Sequence, residues 1–112
     1  MELHNLTKRR RIGSVRKAGS FMSRLMGMLF CDPARSDSGL WLVPCRAVHT
    51  FGMGKPLDVI FLDHELRVVK TAGRVPPFSS GIFCSEAYSA VEFFTAACKL
   101  SGVSVGDQLE IR

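Results

Sequence analysis

The apolar positions of this chain fall in short runs of four to seven residues, separated by turn-forming clusters. Strands are the expected element for such runs. Residues 10–17 read as a short strand with Ile12 and Val15 as its apolar positions. Ser20 is an expected helix N-cap, and Phe21, Leu25 and Met28 follow on one face at spacings of four and three. Asp32-Pro33 and Ser36–Gly39 read as turn and loop. Leu40–Val43 is a buried strand ended by Pro44, and Asp58–Leu62, rich in Val, Ile and Phe, is a central strand. Asp63-His64-Glu65 turns the chain into Leu66–Thr71, which makes a hairpin. A loop is expected over Gly73–Ser85, and Tyr88–Phe94 alternates partly as a strand. Thr95–Leu100 suits one helical turn or two, closed by Gly102, Gly106-Asp107 is a turn, and Leu109–Ile111 is a final strand. Five or six short strands with one or two short helices predict a mainly β fold, a sandwich or barrel. No βαβ alternation points to a nucleotide-binding parallel sheet.

Length and charge refine this picture. A chain of 112 residues with 46% hydrophobic content suits a single domain with one real core. The net charge of +5 is unevenly placed. Residues 1–24 carry seven basic side chains against Glu2, whereas the remainder is close to neutral. Residues 1–9 hold little apolar material and are expected to form a flexible basic arm ahead of a globular domain spanning 10–112. The run Lys8, Arg9, Arg10, Arg11 has the charge to meet nucleic acid or an anionic membrane, but no aromatic residue interleaves with it for base stacking. No apolar run approaches a membrane span, and no hydrophobic stretch follows the basic residues as in a signal peptide. The expected compartment is therefore the cytoplasm. The four cysteines form no CxxC pair, and in that compartment they are expected to be free thiols.

Several segments, taken in order, resemble domain of unknown function 192, also called uncharacterised protein family 0127. They are Arg24-Leu-Met-Gly27-Met-Leu29, Gly39-Leu-Trp-Leu-Val-Pro-Cys45, His49-Thr-Phe-Gly-Met53 and Pro56-Leu-Asp58-Val-Ile-Phe-Leu-Asp63. Val68, the Pro76 region, Val91-Glu92-Phe93 and Gly106-Asp107-Gln-Leu109 continue the match. The resemblance runs over residues 10–112, in the branch with a Cys-xxx-His-Thr element. Gly54-Lys55 departs from a basic and an aromatic residue, and Ala96-Ala97 from Ala-Gly. The resemblance implies a small mainly β fold and brings no established activity, substrate or cofactor.

The densest chemistry lies between Cys45 and Asp58, where a thiol, an imidazole, a thioether and a carboxylate fall in fourteen residues. Three readings stay open. Cys45 and His49 are the candidate nucleophile and base, although an extended segment would hold them about 13 Å apart. Cys45, His49 and Met53 are weak candidates for a soft metal; no CxxC or HxxxH pair supports them, and no metal or cofactor is expected. The favoured reading of the residues themselves is structural, with Cys45 a small buried residue and His49, Asp58 and Glu92 satisfied by hydrogen bonds or pairing. The leading functional reading is a small-ligand-binding or accessory module, with a polar-lined pocket around His49, Thr50, Asp58 and Glu92. Both carboxylates sit in apolar strands and need partners if buried. For Asp58, Arg24, His49, Thr50 or Lys55 would serve. The basic arm offers the alternative of a nucleic-acid or anionic-membrane binder. The expected molecule is a monomer whose partner is an unknown small ligand or protein.

Overall fold

The structure is a computed structural model and describes residues 1–18, 37–48, 54–77, 79 and 81–112. Seven strands form one sheet in the order β6-β5-β8-β3-β2-β1-β9. They are β1 (Glu2–Asn5), β2 (Arg10–Ala18), β3 (Ser38–Leu42), β5 (Leu57–Leu62), β6 (Val68–Val75), β8 (Ser89–Phe94) and β9 (Leu109–Ile111). β4 (Ala47–Val48) and β7 (Ile82–Phe83) make a separate antiparallel pair. All neighbours in the large sheet are antiparallel except β2 and β3, which run parallel.

The two ends of the large sheet meet. Arg67 bridges Gln108, the Val68 amide donates to the Asp107 carbonyl at 2.9 Å, and the Leu109 amide donates to the Leu66 carbonyl at 3.0 Å. This seam ties residues 66–68, at the start of β6, to the start of β9 and curls the sheet into a barrel. Side-chain alternation then divides the apolar residues into two layers. One layer fills the barrel, with Leu3, Val15, Ile60, Leu62, Val68, Val91, Phe93 and Leu109 at its centre. The other lies outside β3, β8 and β5. It contains Leu40, Leu42, Leu57, Val59, Phe61, Ala90 and Phe94, with Val48 of β4 and Ile82 of β7 packed on it.

The mainly β expectation holds, with a barrel as its form. All six residues of β5 are buried, because the strand has partners on both sides and apolar layers on both faces. Three local expectations are corrected. Residues 1–9 are not an appendage: β1 pairs with both β2 and β9, and Leu3 and Asn5 are fully buried. Its short alternation was hidden by the charge that follows. Gly39 lies inside β3 rather than in a turn, because a Cβ there would stand 2.7 Å from the Phe93 ring and 2.8 Å from the Glu92 carbonyl. β6 continues through Gly73 to Val75, and β7 occupies part of the expected 73–85 loop. The one or two helical turns expected over 95–100 are two 3-10 turns, Thr95–Ala97 and Leu100–Gly102. Between them Cys98 adopts a left-handed φ of 56°, which breaks the helical run. The helix expected after Ser20 and the turn at Asp32-Pro33 lie outside the described residues.

Candidate functional site

Asp58 and Glu92, the two carboxylates singled out from sequence, are both buried, at 5% and 6% exposure. The sheet keeps them apart. Residues paired across antiparallel strands share a face. Asp58 pairs with Phe93, which belongs to the barrel interior, whereas Glu92 pairs with Val59 and Leu40, which belong to the outer layer. The two carboxylates therefore point to opposite sides of the barrel wall, and one pocket cannot be lined by both.

Asp58 has a structural occupation. β5 and β6 lose register between Leu57 and Val59, so β6 carries one extra residue there, with Gly73 and Arg74 opposite Asp58. There Arg74 adopts a left-handed φ of 52°. Its amide, displaced from the ladder, donates to Asp58 Oδ1 at 2.9 Å. Thr95 Oγ1 donates to the same oxygen at 2.8 Å and ties the first 3-10 turn to the wall. These partners differ from those expected from sequence. A main-chain amide leaves no residue-type signal, and Thr95 is 37 positions away.

Glu92 lies on the other side of the wall. It stands on the outer face of β8, flanked along its own strand by Ala90 and Phe94 and across the sheet by Leu40 and Val59. Taking a carboxylate out of water is costly unless it is hydrogen-bonded or paired, so its burial in this layer calls for a partner group. Cys45 and Val48 are buried in the same layer. The Cys45 thiol donates to the Ala47 carbonyl at 3.2 Å. His49, Thr50 and Met53 follow Val48 directly in the chain and lie outside the described residues. Among the described residues, no three His, Cys, Asp or Glu side chains come together as a metal-binding group. No disulfide links Cys45, Cys84 and Cys98 to one another. No helix among the described residues is long and apolar enough to cross a membrane.

The basic run is rearranged by the fold. Lys8 Nζ contacts Asp107 Oδ2 at 2.8 Å and Ser104 Oγ at 2.6 Å. Buried Asn5 donates to the same Asp107 oxygen at 2.8 Å and to the Gly102 carbonyl at 2.9 Å. With the Ser104 amide at 2.9 Å, this set holds the Asp107 carboxyl well below its ordinary value, at about 2, Lys8 contributing most. Arg11 is ion-paired to Glu2 and, at 2.8 Å, to Asp37. The Asn5–Asp107 tie was missed in the sequence because its members lie 102 residues apart.

A small barrel with a second apolar layer on one side of its wall is the class of domain these features define. The chain belongs to the DUF192 family, described as an uncharacterized ACR, whose model matches residues 3–111. Two crystal structures share the fold. A protein of unknown function from Novosphingobium aromaticivorans DSM 12444 superposes with a TM-score of 0.76 at 17% identity, covering 98% of this chain and 82% of that one. A putative transcription regulator from Sinorhizobium meliloti 1021 gives 0.77 at 22% identity, covering 97% and 89% respectively. No curated protein matches the chain.

Proposed function

We propose that this protein is a binding or accessory module whose ligand site is the outer face of the barrel wall around Glu92. The observation that carries the reading is the burial of Glu92 between Leu40 and Val59, beside the buried apolar residues of the outer layer. Such a carboxylate suits a ligand bearing a cationic or hydrogen-bond-donating group, with apolar walls to exclude water. His49 and Thr50 enter the proposal from the sequence, one and two positions beyond Val48. Asp58 leaves the ligand-binding set, since it faces the barrel interior and braces the β6 bulge. A Cys45–His49 enzyme is less favoured: the thiol is buried and donates to a carbonyl, an arrangement that opposes the thiolate. The same proposal takes the molecule to be a cytoplasmic monomer with reduced cysteines, supported by the absence of a disulfide among the three described ones.

The test is a thermal-shift screen of the purified protein and of Glu92→Gln against small primary amines, guanidines, amino acids and amides. A ligand that binds the native state raises Tm in proportion to its saturation. A saturable rise in the wild type that is lost in Glu92→Gln is expected. Equal responses in both proteins, or no response across the panel, would overturn the reading.

A further inference from the structure

Two clefts at one end of the barrel adjoin each other and share Arg10 and Arg11 as walls. The first, of about 240 Å³, is completed by Lys99, and the second, of about 250 Å³, by His4, Arg9 and Arg112. Among the described residues, no Asp or Glu lines either one. Carboxylates do reach part of this surface from outside: Glu2 and Asp37 pair with Arg11, and Glu110 pairs with Arg112 at 2.8 Å. The side chains of Arg9, Arg10 and Lys99 have no hydrogen-bonded or ion-paired partner among the described residues.

The unpaired cations are held in place by packing. The Arg10 guanidinium lies against Gly102, where a Cβ would stand 3.4 Å from its Cζ. The Lys99 stem runs past Gly13, where a Cβ would stand 3.5 Å from its Cε. Packing of the stems lowers the entropy that an anion would have to overcome on binding them. An arginine fork without a carboxylate, beside a lysine, matches the charge and geometry of a phosphate. Two adjoining clefts of the same sign match successive phosphates rather than one. Among the described residues, His4 is the only ring-bearing one lining them, so the described walls offer no aromatic platform for base stacking.

We propose that this trough binds the phosphodiester backbone of nucleic acid without reading its sequence, with Arg10 and Lys99 as the principal phosphate ligands. This differs from a binding role for the linear run Lys8–Arg11, because Lys8 is turned onto Asp107 and Lys99 comes from the far end of the chain. It is independent of the ligand proposed at Glu92, which lies on the outer layer.

Fluorescence anisotropy with labelled 20-base-pair duplex DNA and a 20-nucleotide single strand of mixed sequence, each across a salt series, tests the proposal. The proteins are the wild type, Arg10→Ala/Lys99→Ala, and Lys70→Ala as a charge-loss control on β6, with folding of each checked by thermal melting. The wild type should bind at least one polymer with an affinity that falls steeply with salt. The double variant should bind at least about tenfold more weakly at 50 mM salt, and its log–log salt slope on duplex should shrink by about 1.8, the value for two lost phosphate contacts. Lys70→Ala should change affinity by less than about twofold, as expected away from the contact surface. No polymer binding, or equal weakening by Lys70→Ala, overturns the proposal. So does competition by inorganic phosphate at concentrations similar to those of polymer phosphate, which would mark a small-anion site. Binding to phosphatidylserine vesicles without binding to either polymer overturns it in favour of a membrane surface.

Discussion

At the scale of single residues, the decisive distinction is between a carboxylate that braces the backbone and one that interrupts an apolar layer. Asp58 accepts both of its hydrogen bonds on one oxygen, from an amide and a hydroxyl. Asp58→Ala strands both donors and is expected to cost about 1–3 kcal/mol in chemical denaturation. Asp58→Asn keeps an acceptor at that position and should cost less than about 1 kcal/mol, because the donors are neutral. Near-wild-type stability of Asp58→Ala would show that the bulge does not depend on this oxygen. Asp107 makes a second, pH-dependent contribution. Its carboxyl is held at about 2 in the folded protein, below its ordinary 3.8. The stabilisation it brings is therefore complete above pH 4 and is lost as pH falls through about 2. Asp107→Asn should flatten the fall in stability between pH 4 and pH 2, and an unchanged acid profile would contradict that assignment. From sequence it was legible that Asp58 and Glu92 needed partners if buried. Which face each occupied was not, since facing depends on register, and β5 changes register at Asp58.

At the scale of elements, the strands with the densest β-branched and aromatic content were legible and those without it were not. β5 and β8 fall where Val, Ile and Phe concentrate, and the turn at Asp63-His64-Glu65 falls between β5 and β6 as expected. Asp63 Oδ1 accepts from the Glu65 and Arg67 amides at 2.9 Å, the kind of local bond that makes Asp a turn former. β1 and β4 were missed because four and two residues give too little pattern to separate from loop. Glycine carried a misleading signal at Gly39. It reads as a turn former, but its lack of a Cβ lets β3 close on Phe93 and β8. Gly39→Ala should push Phe93 from its packed position and cost about 1–3 kcal/mol, the range for overpacking a core. A melting temperature equal to that of the wild type would show that β3 and β8 have slack at this crossing. Because Glu92 is the partner of Leu40 on this same pair of strands, the substitution should also disturb the proposed ligand site.

At the scale of the whole molecule, barrel closure decides what each face can do. The seam between β6 and β9 seals one apolar layer inside and leaves the other on the outer wall, where Glu92 stands. Amides at the seam, those of Val68 and Leu109, should exchange with solvent about as slowly as amides of β5, since opening them requires opening the barrel. Exchange at these two sites as fast as in exposed turns would show that the sheet is open. Long-range closure of this kind has no local sequence signature, which is why sandwich and barrel were equally compatible with the strand pattern. The central claim is that the wall separates a structural carboxylate from a functional one, so that the two act independently. A double-mutant cycle of Asp58→Asn and Glu92→Gln, followed by chemical denaturation, measures this directly. The account predicts that the two stability changes add to within about 0.5 kcal/mol, as for sites that share no partner. A coupling above about 1 kcal/mol would mean that the two carboxylates belong to one network, and would contradict it.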